Sequence, residues 1–318
     1  MTARYPHLYF WLRLFSLLLA AIVILLPALA DNLSLFLALF LIIGLGIPHG
    51  ATDHRIFHVL LQRRGGQPAM LGFYGGYLGL MLVYGLLWWL SPALGLLIFL
   101  LTSVYHFGQS NWNYVNLNSG FQALLYLIHG AFVLFLPILA HFKTAQPIVE
   151  SIIQRSLPEL SALLLNGSIG LIIVLNLLTI GLLWLKRELS NQEAWAEVFN
   201  LFILLVLFVS TPLLLGFALY FSAWHALSSI QDQISFFRSQ KPGYKLKDYV
   251  REALPYSGLA ILGLMIMVWY SPSIQMNATW GILFIFLSLV TLPHLVLIEM
   301  LYQTGQSDKF EWRVDISE

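Results

Sequence analysis

The chain has 318 residues, of which 59% are hydrophobic and 10% are charged, and its formal net charge is +1. A mean hydropathy of +0.79 is typical of a protein with several membrane-spanning helices rather than of a soluble domain. The balanced charge gives no sign of a nucleic-acid partner. Because cysteine is absent, disulfides, thiolate metal sites and iron–sulfur clusters are excluded. Any metal must therefore be held by His, Asp, Glu or main-chain oxygen.

Long apolar runs predict an all-α, polytopic membrane protein with about eight to nine transmembrane helices in one integral membrane domain over residues 1–318. The first run suits a spanning helix better than a cleaved signal peptide, because no small-residue cleavage motif follows it. The candidate spans are Phe10–Ala30, Leu33–Ile47, Met70–Leu90, Ala93–Gly108, Phe121–Ala140, Ser168–Leu185, Val198–Leu227, Pro255–Tyr270 and Thr279–Tyr302.

Basic residues suggest which loops face the cytoplasm. Arg63 and Arg64 mark one loop, and a stronger basic loop is expected at about 228–253. An odd number of candidate spans separates these loops, which would put them on opposite sides of the membrane. The conflict is resolved if one span is miscounted, if Val198–Leu227 is broken near Pro212, or if the mixed stretch crosses the membrane. We favour the break at Pro212, because that run is too long for one simple crossing. The mixed stretch from His141 to Leu165 is expected to be an interfacial or loop segment.

Histidines inside apolar runs carry the strongest chemical signal. An ionisable residue in a membrane helix costs several kcal/mol and indicates function by default, and imidazole is well suited to transition metals. Histidines on several helices therefore predict a buried, His-lined metal site. The candidate ligands are His49, His106, His225 and His294.

The densest group lies at Pro48–His54, where glycines and a proline are expected to break the helix. His49 and Asp53 would lie about 40° apart on a regular helix, so the carboxylate is placed to orient an imidazole. His54 lies about 140° from His49, so both cannot reach one metal from a regular helix. We assign Asp53 and His54 to the catalytic group. The alternative interpretation is a polar helix end capped by Thr52 and Asp53.

The other three candidate ligands are solitary in sequence. His106 alone could belong to an interfacial aromatic belt, and His225 or His294 alone could be a hydrogen-bonded structural residue. Together they favour a site, because each needs a buried partner. Aromatic neighbours are predicted to contact a long apolar substrate; they are Tyr105, Phe107, Trp112 and Trp224.

Four motifs occur in a fixed order along the chain: Pro-His-Gly-Ala-x-Asp-His, Tyr-His-Phe-Gly, Trp-His and a late Pro-His. This pattern closely resembles the Brp/Blh family of bacterial β-carotene 15,15′-dioxygenases over nearly the whole chain. The resemblance implies a multi-pass enzyme of the cell inner membrane that uses Fe(2+) and dioxygen to cut β-carotene centrally into two retinals, often for a microbial rhodopsin. It also implies that His49, His106 and His225 are iron ligands.

The chain departs from the family at one position. Many members have a second histidine four residues after the Trp-His histidine, where this chain has Ser229. Serine is a poor iron ligand, so the fourth position must be filled by His294, His54 or water.

Two other functions stay open on the sequence. One is another membrane non-haem iron oxidoreductase, such as a desaturase or hydroxylase, although only His49–His54 looks like one of the histidine boxes of those enzymes. The other is a non-catalytic carotenoid- or retinal-binding membrane protein, or a transporter that uses the histidines as a proton relay. Iron content separates the binder from the enzymes, and aldehyde products separate the two enzymes.

Overall fold

The protein is helical along almost all of residues 6–63, 70–115, 117–270 and 276–307, which a computed structural model describes. The α-helices are α1 (Pro6–Leu25), α2 (Pro27–Leu41), α3 (Asp53–Arg63), α4 (Met70–Leu90), α5 (Pro92–Trp112), α6 (Ser119–Ala140), α7 (Phe142–Ile153), α8 (Ala162–Leu185), α9 (Asn191–Ser210), α10 (Leu213–Leu219), α11 (Leu227–Gln240), α12 (Leu246–Trp269) and α13 (Met276–Ser307). Two π-helical segments, Ile42–Gly46 and Tyr220–Ala226, and one 3-10 turn, Pro48–Gly50, interrupt this pattern.

Among the described residues, ten helical runs are long and apolar enough to cross a membrane. The all-α, multi-pass prediction is confirmed, with one span more than the nine candidates. The extra span arises at Pro212, because α9 ends at Ser210 and α10 begins at Leu213. The expected break is thus confirmed. Six of these spans now separate the two basic loops, an even number that returns the chain to the same side of the membrane. Arg64 of the first loop lies outside the described residues.

The structure defines two of the segments outside the predicted spans more closely. In the stretch expected to be interfacial or a loop, Phe142–Ile153 is a helix, and residues 154–161 connect it to α8. The basic loop predicted at about 228–253 is also much shorter, since only residues 241–245 connect α11 to α12. Polar residues within the predicted loop, such as Ser228 and Gln233, are instead helical and buried. Polar side chains that face a protein interior look like loop residues in the sequence.

The chain divides into two compact units. Unit 1 comprises Met1–Ile42, Ser103–Gln146 and Leu157–His225, and unit 2 comprises Ile43–Thr102, Pro147–Ser156 and Ala226–Glu318. Each unit therefore contains two of the four candidate ligands. His106 and His225 belong to unit 1, and His49 and His294 belong to unit 2.

In unit 1, glycines let α5 and α6 pack with their main chains almost in contact. A Cβ added at Gly108 would lie 1.8 Å from the Tyr126 carbonyl oxygen, and one at Gly130 would lie 1.7 Å from that of Val104. Small residues are the usual means by which membrane helices approach this closely. Gly108 belongs to the Tyr-His-Phe-Gly motif, so the contact fixes the part of α5 that carries His106.

In unit 2, large apolar side chains from α3, α11, α12 and α13 form one buried core. Its members include Ile56, Phe237, Tyr249, Ile298 and Leu301. This core lies directly after the turn that carries His49 and holds the start of α3 against the other helices. The core therefore provides a fixed framework for the residues of that turn.

Candidate functional site

His49 lies on the 3-10 turn that follows the first π-helical segment. Its Nδ1 hydrogen-bonds to the Gly46 carbonyl oxygen, and only 8% of the residue is exposed. A histidine whose Nδ1 donates to a carbonyl presents Nε2 to a ligand, in the arrangement that metal-binding histidines usually show. The helix break that the sequence predicted at this point thus orients the imidazole.

Asp53 pairs with His294 and not with His49. Its Oδ1 lies 2.7 Å from His294 Nδ1, and Tyr77 donates its hydroxyl to the other carboxylate oxygen at 3.0 Å. The His294 ring lies edge-on to the His49 ring, with 4.9 Å between the centroids. Asp53 is 3% exposed. A buried carboxylate therefore fixes the ring of the histidine that neighbours His49.

This arrangement bears on the capping interpretation of the Pro48–His54 stretch. The Asp53 carboxylate is engaged by His294 and Tyr77, and the Thr52 hydroxyl donates to Gln233. Both side chains thus have partners on other helices. The polar cluster of the sequence lies at the start of α3 and also makes contacts between helices.

His106 and His225 form the corresponding pair in unit 1. Their ring centroids are 4.9 Å apart and the rings are edge-on. His225 lies in the second π-helical segment, and its Nδ1 is 3.2 Å from the Ser110 hydroxyl. Segments of this rare helix type occur frequently at functional sites. Both pairs thus place one histidine in or beside an irregular stretch of helix.

Aromatic side chains surround the second pair. Phe107 packs edge-on against His225 at 5.1 Å between centroids, and Phe221 stacks on the same ring at 6.0 Å. Phe107 also contacts Phe217 and Tyr220. The structure thus brings one predicted substrate-contacting residue directly against a candidate ligand.

The other three predicted substrate-contacting residues have separate neighbours within unit 1. Tyr105 lies edge-on to Tyr126, and Trp112 lies edge-on to His129. Trp224 donates its indole N–H to Ser16 at 2.9 Å.

Sequence reasoning did not find a buried polar group on α1 and α9 of unit 1. Arg13 donates to the Asn200 side chain at 2.8 Å, and Asn200 donates to Glu197 at 3.3 Å. A cavity of about 10 Å³ adjoins this group and is also lined by Ser110 and His225. That volume is close to the minimum that one water molecule needs. The only signal in the sequence was the presence of charged residues inside apolar runs.

The two remaining sequence-predicted positions lie elsewhere in unit 2. His54 stacks on Tyr256 with 4.2 Å between centroids. Ser229, at the position where many Brp/Blh members have histidine, is buried and accepts a hydrogen bond from Gln233 at 3.1 Å. In neither unit do the described residues bring three or more His, Asp or Glu side chains together in a way that could hold a metal ion.

The fold and these residues define a multi-pass helical membrane protein with two pairs of buried histidines. The β-carotene 15,15′-dioxygenase family model matches residues 40–302. A protein named β-carotene 15,15′-dioxygenase, from the uncultured marine bacterium 66A03, is 26% identical over 280 residues, which are 85% of this chain and 94% of that protein. No solved structure matches the chain. The chain therefore belongs to the β-carotene 15,15′-dioxygenase family.

Proposed function

We propose that this protein cleaves β-carotene with dioxygen at the central 15,15′ double bond and releases two molecules of retinal. The observation that carries the proposal is the match to the family model over residues 40–302, which include all four candidate ligands. The name of the relative from the marine bacterium supports the same reaction. The ten apolar helices suit a substrate that dissolves in lipid and not in water.

We propose Fe(2+) as the cofactor, with ligands from His49, His106, His225 and His294. The donor chemistry fits, because a cysteine-free chain leaves imidazole as its best donor for iron. Nδ1 has a partner in three of these histidines: a carbonyl for His49, a hydroxyl for His225 and a carboxylate for His294. That pattern fits ligation through Nε2.

The spacing within each pair also fits ligation. With metal–nitrogen bonds of about 2.0–2.1 Å, two imidazoles on one metal have ring centroids on the order of 4.5–5 Å apart. The two observed separations are both 4.9 Å. When bound, iron would supply the oxygen chemistry that no amino-acid side chain provides.

The protein's own residues would orient the ligands and the substrate. Asp53 holds the His294 ring through Nδ1, and Tyr77 holds the Asp53 carboxylate. Phe107 and Phe221 pack on the His225 ring, which also borders the cavity of about 10 Å³ and contacts Ser110. The aromatic rings would limit the water that reaches His225, and the exclusion of water prevents side reactions of reactive intermediates. Tyr105, Trp112 and Trp224 are proposed to contact the polyene along its length.

We place the enzyme in the cell inner membrane, surrounded by lipid, where β-carotene is dissolved. Retinal released there would be available to a microbial rhodopsin in the same membrane, which is the functional partner we propose. Charge gives no reason to add a nucleic-acid partner, since the net charge is +1.

The test is expression in bacteria that accumulate β-carotene. Loss of the orange colour together with retinal in the extract is the expected result, and cells that express a His106→Ala variant should stay orange. Carotene that persists while the protein is present in the membrane would reject the proposed reaction. An oxygenated or desaturated carotenoid without any aldehyde would indicate the desaturase-like alternative.

A further inference from the structure

Two side chains from other helices hydrogen-bond to the main chain at His49. The carbonyl oxygen of His49 accepts from Gln233 Nε2 at 2.8 Å and from the Tyr249 hydroxyl at 3.2 Å. Tyr249 also donates to the Pro48 carbonyl oxygen at 3.0 Å. Irregular backbone at membrane depth is tolerated only where protein groups satisfy it in this way.

Gln233 has both amide hydrogens and its carbonyl oxygen engaged. Its Nε2 donates to the His49 carbonyl oxygen and to the Ser229 hydroxyl, and its Oε1 accepts from the Thr52 hydroxyl. The Tyr249 hydroxyl also lies 3.4 Å from Oε1, but its single proton is nearer the Pro48 carbonyl oxygen. The residue is 1% exposed. An amide has two donors and two acceptor positions, so this side chain can hold only one orientation. Gln233 thus links His49, Thr52 and, through Tyr249, helix α12.

We propose that Gln233 is a positioning residue that sets the direction of the His49 imidazole by holding the His49 carbonyl and the Thr52 side chain that follows it. The proposal rests on the proposed function, because it takes His49 as a metal ligand. The ring is attached to the backbone that Gln233 contacts at the His49 carbonyl, and the Thr52 hydroxyl anchors the segment that follows. A shift of that backbone moves the ring nitrogen relative to the other groups.

The same geometry gives Ser229 a role. Serine and glutamine lie four residues apart on α11, so they are neighbours on one helix face. The Ser229 hydroxyl takes the second Nε2 hydrogen of Gln233 and thereby fixes which way the amide points. In this chain, the position that holds a histidine in many family members belongs to the support of His49.

The test compares Gln233→Met with Gln231→Met in the full-length protein in detergent or in membranes. Methionine fills nearly the same volume as glutamine but removes every hydrogen bond. Gln231 lies on the same helix and makes no hydrogen bond to the Pro48–Gly50 turn, so its replacement is the matched control. Two properties are measured: amide hydrogen exchange of residues 48–53 without metal, and binding of Co²⁺ followed by its absorption spectrum.

We expect faster exchange at residues 48–53 in Gln233→Met, and a Co²⁺ affinity that falls by about 10- to 100-fold with a changed spectrum, as is usual when the support of a ligand is lost. Gln231→Met should match the wild type in both. Ser229→Ala should give a smaller loss of affinity, because the hydrogen bond from Gln233 to His49 remains. Unchanged exchange in Gln233→Met would overturn the proposal. So would faster exchange with unchanged Co²⁺ affinity and spectrum, since the turn would then not set the ligand.

Failure of this proposal can be told apart from failure of the proposed function. A wild-type protein that binds neither iron nor Co²⁺ and forms no retinal would reject the function itself. A wild-type protein that binds metal and forms retinal, together with a Gln233→Met variant that behaves identically, would reject the role of Gln233 alone.

Discussion

The two histidine pairs are held in different ways. In unit 2, hydrogen bonds orient His49 and His294, through the Gly46 carbonyl and the Asp53 carboxylate. In unit 1, aromatic rings enclose His225, and the Ser110 hydroxyl provides its polar contact. Hydrogen bonds fix the angle of a ring sharply, whereas aromatic packing excludes water and fixes position by shape. One pair is thus supported by polar contacts and the other by apolar packing.

The largest effect is expected when a candidate ligand is replaced by alanine, because this removes one imidazole of a histidine pair. His106→Ala should abolish retinal formation and most iron binding while the protein stays in the membrane, because alanine has no donor atom in place of the imidazole. Retinal is measured by chromatography and iron by metal analysis of the purified protein. His7, an exposed residue at the start of α1, provides the control His7→Ala, which should keep activity. Full activity in His106→Ala would remove His106 from the site.

Nearly as large an effect is expected at His294. If it replaces the histidine that the chain lacks at position 229, His294→Ala should be as damaging as His225→Ala. His141→Ala is the matched control, since His141 contacts only the Phe208 carbonyl oxygen through its ring nitrogen. A Ser229→His change should restore part of the lost iron binding in His294→Ala. Normal iron content and turnover in His294→Ala would leave the site with protein ligands from elsewhere, and His54 would be the next candidate.

A smaller loss of iron binding is expected when the hydrogen bonds that orient His294 in unit 2 are weakened. Asp53→Asn keeps the shape of the side chain but weakens the contact with His294, and losing such a partner typically costs about 10- to 100-fold in metal affinity or activity. Tyr77→Phe should cost less, because one ordinary hydrogen bond contributes about 0.5–1.5 kcal/mol. Iron retention during dialysis against a chelator measures both. An equal loss of iron in Asp53→Asn and Tyr77→Phe, or no loss in Asp53→Asn, would contradict the conclusion that Asp53 orients His294 and that Tyr77 acts through Asp53.

The smallest effect is expected from the apolar packing of unit 1. Phe107→Leu leaves every hydrogen bond of His225 in place and changes only the shape of its surroundings. Iron content should therefore stay near normal while retinal formation slows severalfold, mainly through a higher KM for β-carotene. Phe10→Leu, at a residue of α1 that is 58% exposed, is the control. Loss of iron in Phe107→Leu would show that packing, too, holds the ligand.

The sequence predicted the elements of this protein better than their contacts. The long apolar runs gave most spans, and the break at Pro212 followed from the length of one run. The break around Pro48 followed from its glycines and proline. The partners of the histidines could not be read in this way. Asp53 and His294 are 241 residues apart, and nothing in either local pattern indicates the other.

The buried polar residues of α11 were misread for a physical reason. Ser228, Ser229 and Gln233 resemble a solvated loop by composition, although all three face the interior of the protein. A hydropathy pattern records how polar a residue is but not whether another side chain satisfies it. Gln233 was therefore missed, and so was the Arg13–Asn200–Glu197 group on α1 and α9.

In the π-helical segment Tyr220–Ala226, the number of residues matters as much as their identity. A π-helical turn contains one more residue than an α-helical turn. The wider turn accommodates the additional residue, so Ser229 and Gln233 face nearly the same way as they would in a regular helix that is one residue shorter. A deletion in the regular helix on either side has no such turn to absorb it, and it would rotate the residues that follow by about 100° about the axis. Function is thus vulnerable to insertions and deletions beside the π-helical segment in a way that a list of essential side chains does not reveal.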